Sequence, residues 1–82
     1  MLTQENNCMQ KYEEMYHRVI AKHIKEIRKN NKLSQESFAE KIGCSREFVS
    51  RLENLKEKPS LKMLLKLSYI FKTTPEIFFK QL

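Results

Sequence analysis

An all-α domain of five helices is what this sequence predicts, on three observations. One glycine and two prolines in 82 residues are too few turn-makers for an all-β fold. Lys, Glu, Leu and Ile dominate, and all are compatible with helices. Apolar residues recur at steps of three and four, and a serine or threonine stands before four of the five runs they form. A chain of this length makes one small domain. It buries roughly two-thirds of its surface on folding, which leaves room for one core.

The first helix shows its buried face as Met9, Tyr12, Tyr16, Val19, Ile20, Ile24 and Ile27. No glycine or proline interrupts residues 9–29, so the helix is long. Residues 1–8 are polar and read as a loose arm; residues 1–16 together form the arm and an extension of the first helix, with the domain proper at 17–82. Asn30 and Asn31 tolerate a left-handed cap, after which Leu33 turns back to the core. Ser34 caps the second helix, which buries Phe38, Ala39 and Ile42 and stops at Gly43. Ser45 caps the third, with Phe48, Val49 and Leu52 inward. After a loop from Asn54 to Pro59, Ser60 caps the fourth, whose face is Leu61, Leu64, Leu67, Ser68 and Phe71. Thr74 opens the fifth, Pro75 takes its first position, and Glu76 suits the helix dipole. Phe78 and Phe79 then close the core.

The net charge of +6 is uneven. Residues 1–16 carry one lysine against three glutamates, so the excess of basic groups lies wholly beyond them. A basic body suits a polyanion such as nucleic acid. Cys8 and Cys44 show no metal-ligand spacing and read as free thiols in a reducing cytoplasm. His17 and His23 lack further ligand partners and read as surface residues of the first helix, so neither a metal nor a cofactor is expected. Tyr69 reads as packing. The start of the chain lacks the apolar stretch of a signal peptide, and no run is long enough to span a membrane. No nucleophile–base arrangement and no phosphate-cradling glycine loop appears, so an enzyme is not expected.

The lone glycine is the sharpest local signal. Glycine enters the left-handed backbone region without steric penalty, which suits a tight bend between two steeply crossed helices. Counting from Gln35, Ala39 is fifth, Gly43 ninth, Val49 fifteenth and Leu52 eighteenth. Ala39 lets the two helices cross closely, Gly43 makes the bend, and Val49 with Leu52 holds the third helix inward. Its other face, with Ser45, Arg46, Glu47, Ser50 and Arg51, is left outward.

With that spacing the chain resembles the lambda-repressor-like family of phage and bacterial regulators, of the xenobiotic-response-element type. The likeness covers about residues 18–79 and rests on I-K-E-I-R-K-N-N-K-L-S-Q-E-S-F-A-E-K-I-G-C-S-R-E-F-V-S-R-L-E-N and P-S-L-K-M-L-L-K-L. The resemblance implies a compact five-helix DNA-binding domain whose third helix lies in the major groove of double-stranded DNA. Arg46 is then the expected base reader, since its planar fork spans two guanine acceptors. Glu47 either accepts from a cytosine amino group or orients Arg51, four residues on. Ser50 and Arg51 complete the base-facing set. Gln35 matches a phosphate-bonding position, and Ser45, Asn54, Lys56 and Lys58 are the other expected phosphate contacts. Lys56 and Lys58 also read as ordinary solvated loop lysines. Arg28 and Glu53 match a structural ion pair.

Two positions depart from the family pattern. Leu55 stands where glycine is common, so either Leu55 is left-handed and strained or Asn54 takes that conformation. Ile77 stands where a polar residue is common, and with Phe78 and Leu82 it suggests a homodimer through the fifth helix. The extended first helix, with Met9, Tyr12, Met15 and Tyr16, is the rival interface, or an arm for a protein partner. The expected function is sequence-specific DNA binding by a transcriptional regulator, a repressor that occupies an inverted repeat as a dimer and occludes polymerase. The alternatives are the antitoxin of a toxin–antitoxin pair and an interaction module that no longer reads DNA.

Overall fold

The computed structural model describes residues 2–81, with side chains from Asn7 onward. Its elements run α1 (Leu2–Asn30), α2 (Gln35–Ile42), α3 (Arg46–Glu53), α4 (Leu61–Phe71) and a 3-10 helix (Pro75–Phe79). All the regular structure among the described residues is thus helical, without strands. Two expectations change. First, α1 begins at Leu2, so residues 2–8 are helix and not a loose arm. Nothing in them breaks a helix, and adding residues to an existing helix is far easier than starting one. Second, the fifth element is a single 3-10 turn, not an α-helix. Five residues leave little room for bonds four apart. The amides of Ile77 and Lys80 instead reach back three residues, to Thr74 and Ile77, at 3.1 and 3.3 Å.

The core draws on all five elements. Ile20 and Ile24 come from α1, Phe38, Ala39 and Ile42 from α2, and Val49 from α3. Leu64 and Leu67 come from α4 and Phe78 from the 3-10 helix. Phe38 stacks on Phe71 with ring centroids 5.3 Å apart. Ser68 is buried too, its hydroxyl donating to the Leu64 carbonyl at 2.9 Å. Ala39, 2 % exposed, lies where α2 meets α3. A larger side chain there would force the helices apart.

Some expected core positions lie outside it. Leu61 is 70 % exposed, Phe79 49 % and Tyr69 86 %. Leu61 is the first residue of α4, a turn before that helix reaches the core. Phe79 follows the fully buried Phe78 and faces the other way, against Tyr16 at 6.0 Å. Tyr69 is an outward residue of α4 next to the buried Ser68, and not packing. His23 departs in the opposite sense. It is 6 % exposed, and its Nε2 donates to the Lys80 carbonyl at 2.6 Å, tying the end of the 3-10 segment to α1. His17 is half-buried, and its Nε2 donates to the Glu57 carbonyl at 3.1 Å. Both histidines share the apolar face of α1, three residues either side of Ile20, so the stripe that marks the core also marked them.

Each α-helix ends on a left-handed residue: Lys32, Gly43, Leu55 and Lys72. After each one, the next amide reaches back five residues to a helix carbonyl. The bonds are Leu33 to Arg28, Cys44 to Ala39, Lys56 to Arg51 and Thr73 to Ser68, at 2.8–3.1 Å. The left-handed residue after α1 is therefore Lys32, one beyond the expected asparagines.

Candidate nucleic-acid interface

The turn between α2 and α3 is built as a unit. Gly43 sits at φ 76°, ψ 39°, and its amide bonds back to α2. A Cβ on Gly43 would stand 3.2 Å from Lys66 Nζ, the far end of a flexible side chain. The backbone conformation, not space, is therefore what calls for glycine. Ser45 then caps α3, its hydroxyl accepting from the Phe48 amide at 3.1 Å. Cys44, between them, is half-buried, and burial pushes its thiol pKa up. Ser34 caps α2 in the same manner, accepting from the Ser37 amide at 3.0 Å.

With Val49 and Leu52 fully buried, α3 cannot rotate about its axis, and its outward face is set. Arg46 and Glu47 are exposed at its N-terminal end. A cation at the first helical position opposes the helix dipole. Arg46 thus costs some helix stability and would gain from an anionic or acceptor-rich partner. Arg51 is exposed one turn further on, with its guanidinium 5.6 Å from the centre of the Phe48 ring. Its Nε reaches Glu57, at 3.5 Å, and not Glu47. The role of Glu47 as a guide for Arg51 therefore passes to Glu57, a loop residue that helix spacing does not bring to mind. Ser50 is half-buried and takes a bond from Asn54 Nδ2 at 3.3 Å.

The phosphate set is less free than expected. Asn54 also donates to the Ser50 carbonyl at 2.9 Å, closing the end of α3. Lys58 Nζ pairs with Glu13 on α1 at 2.5 Å, and that ammonium holds the Glu13 carboxyl below its usual pKa. Gln35 Nε2 donates to Glu53 at 3.1 Å. Lys56 is exposed, and Leu55 before it takes φ 65°. Of the two conformations open at that bend, the strained leucine is the one adopted, while Asn54 stays at φ −102°.

Arg28 and Glu53 meet as a two-point pair. Arg28 Nε donates to Glu53 Oε2 at 2.6 Å and Nη2 to Oε1 at 3.1 Å. The Glu53 side chain is 3 % exposed and that of Arg28 13 %. Arg28 Nη1 also donates to the Leu33 carbonyl at 2.9 Å. With Gln35 added, this hub joins the end of α1, the start of α2 and the end of α3. The expected helix-five contact is reduced. Phe78 has no exposed surface, Ile77 packs partly against the core, and Leu82 lies outside the described residues. On the rival surface Met15 and Tyr16 are half-buried, and Met9 and Tyr12 are exposed.

Among the described residues, no three His, Cys, Asp or Glu side chains converge as a metal site would require. Nor is any of their helices long and apolar enough to cross a membrane. Residues 24–78 match the model of a helix-turn-helix family. The chain is also similar to an uncharacterised HTH-type transcriptional regulator of Archaeoglobus fulgidus, with 38 % identity over 56 residues, 68 % of this chain and 79 % of that protein. No solved structure matches. With the match spanning α2, the Gly43 turn and α3, the chain belongs to the lambda-repressor-like helix-turn-helix family of DNA-binding proteins.

Proposed function

We propose that this protein is a transcriptional repressor that reads an inverted-repeat operator as a dimer, with α3 in the major groove of each half-site. One observation carries the reading. Arg46 and Glu47 stand exposed at the leading end of a helix whose opposite face is locked into the core. Arg46 is the principal base reader, with Glu47, Ser50 and Arg51 beside it. Lys56, Ser45 and the start of α2 near Gln35 set the register on phosphates. Repression follows from occupying the promoter, and the protein acts in the cytoplasm with Cys8 and Cys44 as free thiols.

Selection of bound sequences from random DNA tests this directly. The expected product is a pair of half-sites about one helical turn, ~34 Å, apart and related by a two-fold axis. Recovery of unrelated sequences, with no shared half-site, would remove the reading. Arg46→Ala then assigns the base reader. It should flatten the preference at one base position by about 1–3 kcal/mol and leave the others in rank. An unchanged ranking of operator variants would take that role from Arg46.

A further inference from the structure

The loop that follows α3 sends three consecutive residues to three destinations. Lys56 is exposed, Glu57 turns back to α3, and Lys58 pairs with Glu13 on α1. Glu57 is firmly fixed for a loop residue. Its amide donates to the Arg51 carbonyl at 3.2 Å, and its own carbonyl accepts from His17 Nε2 of α1 at 3.1 Å. Its carboxylate then lies 3.5 Å from Arg51 Nε. Backbone and side chain thus return to the same arginine, from six positions on. The Arg51 guanidinium also lies 5.6 Å from the centre of the Phe48 ring. A long side chain on an exposed helix face has much rotamer freedom, and a carboxylate and a ring together restrict it.

We propose that Glu57 determines specificity: it holds Arg51 for base reading and keeps it off the phosphates. This role rests on the repressor reading. The Arg51 and Glu57 side chains are 48 % and 40 % exposed, so the pair adds little to stability. What it supplies is direction and charge. The contact takes up only Nε, which leaves Nη1 and Nη2 at the tip of the fork for two acceptors on one base edge. A phosphate asks only for positive charge within reach, and binding it carries no sequence information. A guanidinium that already faces a carboxylate gains less from a phosphate, and the carboxylate repels any phosphate that approaches. Bonds to a base edge depend more on direction, which the pairing improves. Lys56 is exposed and has no carboxylate partner among the described residues, so it is left as the phosphate contact. Adjacent residues of one loop therefore divide the work: Lys56 supplies affinity and Glu57 selectivity.

The test compares the wild-type chain with Glu57→Ala, Arg51→Ala and the double variant. Each is measured on the operator recovered by selection, on its single-base variants and on unrelated DNA. Glu57→Ala keeps both backbone bonds of residue 57, so circular dichroism should show the helices intact. It should relax preference by roughly tenfold at one base position, the same one that Arg51→Ala relaxes. It should also tighten binding to unrelated DNA and steepen the salt slope by about one, as the released guanidinium takes up a phosphate. Neither change should appear when Glu57→Ala is made on top of Arg51→Ala. An untouched base preference overturns the proposal. So does a uniform loss across all sequences, or a tightening that persists without Arg51, which would make Glu57 a general repeller of DNA. Those results leave the repressor reading standing, because the wild-type chain still selects its operator. A wild-type chain that recovers no shared half-site removes the repressor reading itself, and the role of Glu57 with it.

Discussion

The two ends of α3 are held by different means. At its leading end, a glycine makes the left-handed bend and a serine hydroxyl caps the first turn. At its trailing end, Leu55 makes the same kind of bend with a side chain that resists it. That bend is steadied from the side by the Arg28–Glu53–Gln35 hub. The leading end is secured by local chemistry alone; the trailing end has local bonds from Asn54 and Lys56 back to α3 and adds contacts with distant parts of the chain. Strain at one end can persist because the surroundings over-determine it. Helix α3 is thereby fixed in direction even though only one of its two bends has the residue that suits it.

Removing Glu53 should have the largest effect. Glu53→Ala leaves the Arg28 guanidinium nearly buried without its carboxylate, at a cost of about 3–5 kcal/mol. Urea unfolding checks the value, and a loss below about 1 kcal/mol would show that the trailing end does not depend on the hub. Gly43→Ala comes next. It places a Cβ in the left-handed region and should cost about 1–2 kcal/mol, with the Lys66 side chain free to move aside. A neutral substitution there would mean that the leading bend is no more selective than the trailing one.

Leu55→Gly runs in the opposite direction. It relieves the strain at φ 65° and removes little packing, since Leu55 is 42 % exposed. The expected gain is about 1 kcal/mol in the same unfolding measurement. A loss instead would show that Leu55 packs more usefully than its exposure indicates. Lys56→Ala should hardly change stability. On DNA it should weaken all sequences alike and lower the salt slope by about one. A sequence-dependent loss would move Lys56 from the phosphate clamp to base reading.

Much of this was legible because it is local. Each of Ser34, Ser45 and Ser60 stands three residues before the amide it caps, so a short window of sequence contains both partners. The buried face of α3 was legible for the same reason, as Val49 and Leu52 repeat at helical spacing. Thr74 shows the limit: the pattern is present, but its side chain makes no cap bond, because the element it opens is a short 3-10 turn. The pairings of Glu57 with Arg51 and Glu13 with Lys58 were not legible. The second joins residues 45 positions apart, and no local spacing encodes such a meeting. The Arg28–Glu53 pairing came from family resemblance, not from spacing.

Composition and periodicity alone determined that this chain is helical, where most helices begin, and that Gly43 lies at the bend before an outward-facing Arg46. These follow from backbone sterics and hydrogen bonding within a few residues. Tertiary structure alone decided that Leu55 and not Asn54 takes the strained conformation, that Glu57 and not Glu47 meets Arg51, and that Met9 and Tyr12 line an open groove while Phe79 stays half-exposed. Those outcomes depend on which distant surfaces come together as the core closes, and burial and strain are settled only when it does.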